Sequence, residues 1–158
     1  MSKNNLNLNI GAIEEIYSGY DLPSQDFPID SVNIFMFSAV TWNRHRIHYD
    51  HEQAVREGHK GIVAQRGLLG NFLCQYLNSI FSGAFIEQVD WKVLKSAGPG
   101  DTLTCCGKTL EVVPGEDSDA AIIDLELVNQ SGELVTSGQA RVRAIKETDR
   151  IKPIRKPF

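Results

Sequence analysis

No stretch of this sequence is apolar over the roughly 20 residues that a bilayer-spanning helix requires, which excludes a helical membrane protein. Positive charge is also scarce. With 16 Lys and Arg against 20 Asp and Glu, the net charge of −4 opposes a broad nucleic-acid-binding face. The cysteines, Cys74 and the vicinal pair Cys105 and Cys106, are odd in number and lack CxxC spacing, so neither a disulfide framework nor a cysteine-built metal site is expected. They read as small buried hydrophobes in a reducing compartment. The leading stretch MSKNNLNLNIGAIEEI lacks the apolar core of a secretory signal, and the expected location is cytoplasmic.

What remains is a globular composition, 42% hydrophobic and 23% charged over 158 residues, which suits one domain with a sizeable core. Residues 1–30 read as an irregular lead-in punctuated by Gly19, Pro23 and Pro28. Asp30 or Ser31 can then cap a short helix running to Val40, with Ile34, Phe37 and Val40 as its inward stripe. Asp50 and Gln53 stand as a capping box for a second helix that Gly58 can stop. From Gly67, the residues Leu68, Leu69, Phe72, Leu73, Tyr76, Leu77, Ile80 and Phe81 recur at helical spacing up to Gly83, which predicts a long buried helix. Gly70 inside it costs about 1 kcal/mol against Ala, so the close approach of another backbone is expected there.

The period then changes. Strand-like runs near 84–96, 102–113, 119–128 and 133–145 are separated by AGPGD, PGEDSD and NQSGE, which are turn chemistry. Ile123, Leu125 and Leu127 alternate with Asp124 and Glu126, and Ala140, Val142 and Ala144 alternate with Arg141 and Arg143, so one sheet face is buried. Short turns between successive strands imply an antiparallel sheet wrapped over the long helix, an α+β roll. Domain sequence spans 31–146, and the basic, proline-containing residues 147–158 read as a tail.

Between the first two helices lies TWNRHRIHYD, residues 41–50, which holds His45 and His48, half of the chain's 4 histidines, beside Asn43. A loop held between helices is where polar side chains can face a ligand. An imidazole titrates near working pH and can take or give a proton, while the Asn43 amide can hold a water or a carbonyl. The plainer reading is that both histidines satisfy backbone groups at a helix junction. A zinc site using His45, His48 and His51 is disfavoured, because the spacing is not HExxH and no cysteine is near in sequence. His51 and His59 read as surface residues.

The stretch FSAVTWNRHRIHYDHEQA, Phe37 to Ala54, resembles the signature of the hot dog-fold (R)-specific enoyl-CoA hydratases, the MaoC-like dehydratases. Their loop reads roughly S-G-D-x-N-P-L/I-H, followed by a small residue. His48 and Ala54 match it, whereas Asn43 replaces the usual acid, His45 the usual Asn and Arg46 the usual Pro. The stretch is more similar to T-x-N-x-H-R-I-H-Y-D, the form in mesaconyl-C4-CoA hydratases and fungal-type mitochondrial 3-hydroxyacyl-thioester dehydratases, and matches every named position. The resemblance spans residues 31–145. It implies a single hot dog fold, with an antiparallel sheet around a long central helix. Members of that branch often carry two fused hot dogs, so the resemblance implies a homodimer or a heterodimer with another hot dog chain.

The activity so implied is reversible hydration of a 2-enoyl thioester, or dehydration of a 3-hydroxyacyl thioester, carried on coenzyme A or acyl carrier protein. No cofactor and no metal are implied beyond the thioester substrate. His48 would be the acid/base, Asn43 would orient water, and His45 would be a second hydrogen-bonding or proton-transfer group. Charge building on the thioester oxygen would be met by the N–H of Gly67, with Leu68, at the start of the central helix, where each donor contributes about 3 kcal/mol. By itself Gly67 reads equally as a glycine needed for packing. Arg46 or Arg66 would bind a carboxylate on the acyl group, and Arg141, Arg143, Lys92 and Lys95 are candidates for the coenzyme phosphates. The competing classes are a non-catalytic hot dog subunit, against which both loop histidines argue, and an acyl-CoA thioesterase on the same fold.

Overall fold

The computed structural model describes residues 16–116 and 118–144. The expectations for residues 1–15 and for the tail 147–158 lie outside the described residues.

The central helix α3, Arg66–Ile80, buries Leu68, Leu69, Phe72, Leu73, Tyr76, Leu77 and Ile80 as its periodicity requires. Around it curls one antiparallel sheet of β1 (Asp21–Pro28), β2 (Phe85–Val93), β3 (Thr102–Val113), β4 (Ala120–Asn129) and β5 (Leu134–Arg143), in the order β1-β3-β4-β5-β2. The alternation read in β4 and β5 sets their faces: Ile123, Leu125, Leu127, Ala140 and Val142 point at α3. On the outer face, Arg141 and Arg143 hold Glu87 at 2.7 and 2.5 Å. The architecture is the expected antiparallel sheet over a long helix.

Two expectations need correction. Residues 21–28 are not irregular: β1 is an edge strand on β3, burying Leu22 and Phe27. Its prolines conceal it, since a residue without an N–H is tolerated only on an edge or at a bulge, and the register shifts between Leu22 and Gln25, around Pro23. The Pro23 carbonyl accepts a hydrogen bond from the buried Tyr76 hydroxyl at 2.9 Å, tying the strand to α3.

The inward stripe of the first helix also differs. Helix α1, Ser31–Thr41, is capped by Asp30, whose side chain accepts from Asn33 N–H at 2.7 Å, while the Asn33 side chain accepts from Asp30 N–H at 3.1 Å. It buries Ile34 and Ser38, and Val40 is 80% exposed. At about 100° per residue, Val40 sits some two-thirds of a turn past Ile34, whereas Ser38 returns to the same side. Val32, Phe35 and Met36 join Val40 on an outer apolar face.

Candidate active site

The backbone at the end of α1 aims the motif. Trp42 adopts φ 54°, the left-handed region that β-carbon-bearing residues seldom enter. The turn holds because Asn43 N–H donates to the Ser38 carbonyl at 3.0 Å. The Asn43 side-chain oxygen then accepts from His45 N–H at 3.1 Å, which leaves its amide N–H groups as donors. A short turn of 3-10 helix, Arg46–His48, follows, and Asp50 caps α2, His51–Arg56, by accepting from Gln53 N–H at 3.0 Å. The expected capping box is half formed, because the Gln53 side chain donates to Glu57 instead. Gly58, at φ 89°, ends this region as expected.

His48 is 7% exposed, and its Nδ1 lies 2.8 Å from the Val63 carbonyl oxygen. A carbonyl only accepts, so Nδ1 carries the hydrogen, and the neutral ring keeps a lone pair on Nε2 for the cavity that His48 lines. The support is rigid: Val63 N–H donates to Ile47 at 3.1 Å and Ala64 N–H to Ala97 at 2.7 Å, so three loops are clipped together. Burial pushes the His48 imidazole below its ordinary value of 6.5, the charges of His45 and His59 act in the same direction, and the Val63 bond opposes them. A base that stays unprotonated at neutral pH results.

That cavity, of about 750 Å3, also takes in Asn43, Gly67 and Arg66. α3 begins along its lining, with the N–H groups of Arg66, Gly67 and Leu68 preceding the first intrahelical bond, from Leu69 N–H to the Gln65 carbonyl at 3.2 Å. Gln65 offers no side-chain cap to them. Buried at 2% exposure, it instead donates through Nε2 to the Ile34 carbonyl at 2.8 Å and to Ser38 Oγ at 2.7 Å, locking α1 to the start of α3. Gly67 has a packing reason as well, since a β-carbon there would lie 3.1 Å from the Phe37 ring. The packing reason is thus observed at Gly67, which also lies in the first turn of α3, where N–H groups have no intrahelical acceptor.

The other sequence-derived candidates are dispersed. His45 stands edge-on to His48, with ring centroids 5.8 Å apart, but its Nε2 faces Glu57 at 3.3 Å and it does not line the cavity. Arg46 is exposed, paired with Asp50 four residues on. Arg66 lines the cavity while its guanidinium donates to the Trp91 carbonyl at 2.7 Å and rests 4.9 Å from the centre of the Trp91 ring. Leu68 is core. Lys95 pairs with Glu133 at 2.5 Å, and Arg141 and Arg143 are held by Glu87, so these cations face acids on the surface. Residues that sequence reasoning missed are His59 and Ser96, which line the same cavity as His48. Nothing in their separation along the chain signals it.

Several solved structures share this fold. An R-hydratase, PhaJ1, of Pseudomonas aeruginosa superposes with TM-score 0.75 at 20% identity, over 91% of this chain and 95% of that one. A MaoC-like dehydratase of Rhodospirillum rubrum gives 0.76 at 19%, over 86% and 97%. The ChsH1-ChsH2 complex of Mycobacterium tuberculosis gives 0.73 at 19%, over 81% and 98%. At such identities the likeness establishes the fold, an α+β hot dog. No curated protein matches the sequence. The family model of hydroxyacyl-thioester dehydratase type 2 matches residues 17–99, more than half of the chain, across β1, the histidine-bearing loop and α3, and the protein belongs to that family.

Proposed function

We propose that this chain hydrates 2-enoyl thioesters and, in reverse, dehydrates 3-hydroxyacyl thioesters, carried by coenzyme A or acyl carrier protein. One observation carries the reading: His48 is buried, its tautomer set by Val63, in a cavity also lined by Asn43 and by Arg66 and Gly67, the first residues of α3. His48 Nε2 takes a proton from water as the water oxygen bonds to the β-carbon. Negative charge then gathers on the thioester oxygen, where the N–H groups of Gly67 and Leu68 meet it, each contributing about 3 kcal/mol. With its own oxygen occupied by His45 N–H, the Asn43 amide donates to the water or to the hydroxyl it becomes. Arg66, which lines the cavity, would face an anionic group on the acyl chain or carrier, and Arg46 would act only once released from Asp50.

The branch nearest in motif is that of mesaconyl-C4-CoA hydratases and fungal-type mitochondrial dehydratases. The free cysteines are consistent with a reducing, cytoplasmic setting. A hot dog partner completes the reading: β2 lies at the sheet edge, and α1 presents Phe35 and Met36 outward. A homodimer is favoured, and a heteromer is the second possibility, because the similar folds include the ChsH1-ChsH2 and HadBC complexes.

The test follows absorbance of the enoyl-thioester band with crotonyl-, mesaconyl- and longer 2-enoyl-CoA, beside His48→Ala. Loss of the band with the native chain and its persistence with the variant is the expected result. Release of free thiol with an unchanged band would make the protein a thioesterase. If neither signal moves, the chain is a non-catalytic subunit and a partner must be sought.

A further inference from the structure

Hydration needs both a base for water and an acid for the α-carbon, and Asn43 cannot titrate. Of the chain's 4 histidines, His48 and His59 line the reaction cavity, whereas His45 is turned to Glu57 and His51 lines the neighbouring cavity. We propose that His59, steadied by Ser96, is the second proton-transfer residue of this active site, alongside His48. The proposal rests on the hydratase reading and assigns its missing acid.

His59 sits where two cavities meet. It borders both the catalytic cavity and the adjoining one of about 620 Å3, and Val63 and Ser96 are shared between the two in the same way. Its backbone is fixed by its N–H donating to the Ala54 carbonyl at 3.0 Å, just after the turn at Gly58. Its ring is fixed by Nδ1 lying 3.3 Å from Ser96 Oγ. One ring nitrogen is thereby occupied and the other is left for a ligand. The two imidazoles also feel one another, since a charge on His59 disfavours a charge on His48. An addition across a double bond requires one group to take a proton and another to give one.

The step balances. His48 Nε2 accepts a proton from water while the water oxygen bonds to the β-carbon. The π pair moves to the α-carbon, which takes a proton from the His59 imidazolium; the carbon–sulfur bond is untouched. His48 ends protonated and His59 neutral, and solvent returns the proton from one to the other. The charged groups around His59 are His48 and Arg66 on the catalytic side and His51, Lys60, Asp101 and Glu133 on the other.

The experiment measures crotonyl-CoA hydration by the whole chain, its His59→Gln and His45→Gln variants, with thermal melts as a folding control. In parallel, the histidine ring resonances of the native chain are followed by NMR as butyryl-CoA, a saturated analogue, is added. His59→Gln should lower kcat about 100-fold or more with much less change in KM, and remove one limb of the pH profile. His45→Gln should keep a larger share of kcat. Butyryl-CoA should shift the rings of both His48 and His59. Should His59→Gln fail to fold, the native-chain titration still decides. An unchanged kcat in His59→Gln, or a shift at His48 without one at His59, overturns the proposal and leaves the hydratase reading standing. If the native chain neither hydrates crotonyl-CoA nor shows a shift at either ring, both fall together.

Discussion

Gly70→Ala sets two effects of opposite sign against each other. Ala is the better helix former by about 1 kcal/mol, and position 70 lies inside α3, so propensity alone makes the substitution stabilising. The structure says otherwise, because a β-carbon at Gly70 would stand 2.4, 2.6 and 2.9 Å from three atoms of the Trp91 indole. Ordinary contact requires the ring to retreat by about 1 Å. A rigid bicycle cannot do that by bending one end, and it is tethered: Trp91 Nε1–H donates to the Arg66 carbonyl at 3.0 Å, while the Arg66 guanidinium donates to the Trp91 backbone carbonyl at 2.7 Å. Overpacking costs about 1–3 kcal/mol and the indole hydrogen bond about 1 kcal/mol, against the gain of about 1 kcal/mol in propensity. The net expectation is a loss of about 2 kcal/mol, or a Tm lower by roughly 4–8 °C for a chain of this size. Melting followed by circular dichroism measures it, and indole emission reports the displaced ring in a Trp42→Phe background, Trp42 being the other of the 2 tryptophans. In a Trp91→Ala background the same glycine substitution should become stabilising. A gain of about 1 kcal/mol from Gly70→Ala in the native background would refute the close approach.

Further outcomes follow from the same geometry. Because burial lowers the His48 pKa in the folded chain, the unfolded chain binds more protons once pH falls below its ordinary 6.5. The His48 contribution to stability is therefore intact above that pH and is lost as pH falls towards the folded value. Urea unfolding at a series of pH values should show this fall, and His48→Gln should flatten it. The acid limb of kcat/KM should likewise lie below 6.5, since His48 must be neutral to accept a proton. Gln65→Leu removes the bonds to Ile34 and Ser38 that join α1 to α3, at a cost of about 1–2 kcal/mol. Its urea midpoint should fall, and hydration should weaken further than that loss explains, because the motif loop hangs from the end of α1.

Much of this protein is readable in one dimension because it is periodic. Leu69, Leu73, Tyr76 and Ile80 repeat at helical spacing, and Ile123, Leu125 and Leu127 at strand spacing, so element type and buried face follow from local geometry alone. Caps are local too, which is why Asp30 and Asp50 are recognisable from their neighbours a few residues on. The cluster at residues 43–48 marks a candidate site by the same locality. Strand β1 escapes this logic because its pattern is broken by Pro23, whose missing N–H is harmless only at a sheet edge, and an edge is defined by strands that lie far along the chain.

The tertiary structure alone decides which of the histidines share a cavity. His45 and His48 are neighbours in sequence, yet one turns to Glu57 and the other into the protein, because Val63 pulls the His48 ring inward through a bond spanning 15 residues. His59 joins the site through Ser96, 37 residues away, on a contact that no spacing rule encodes. Local order along a chain sets conformation through short-range sterics and hydrogen bonds. A catalytic arrangement depends on which distant loops the packed core brings within 3–4 Å of one another, and that is settled only when the sheet closes over α3.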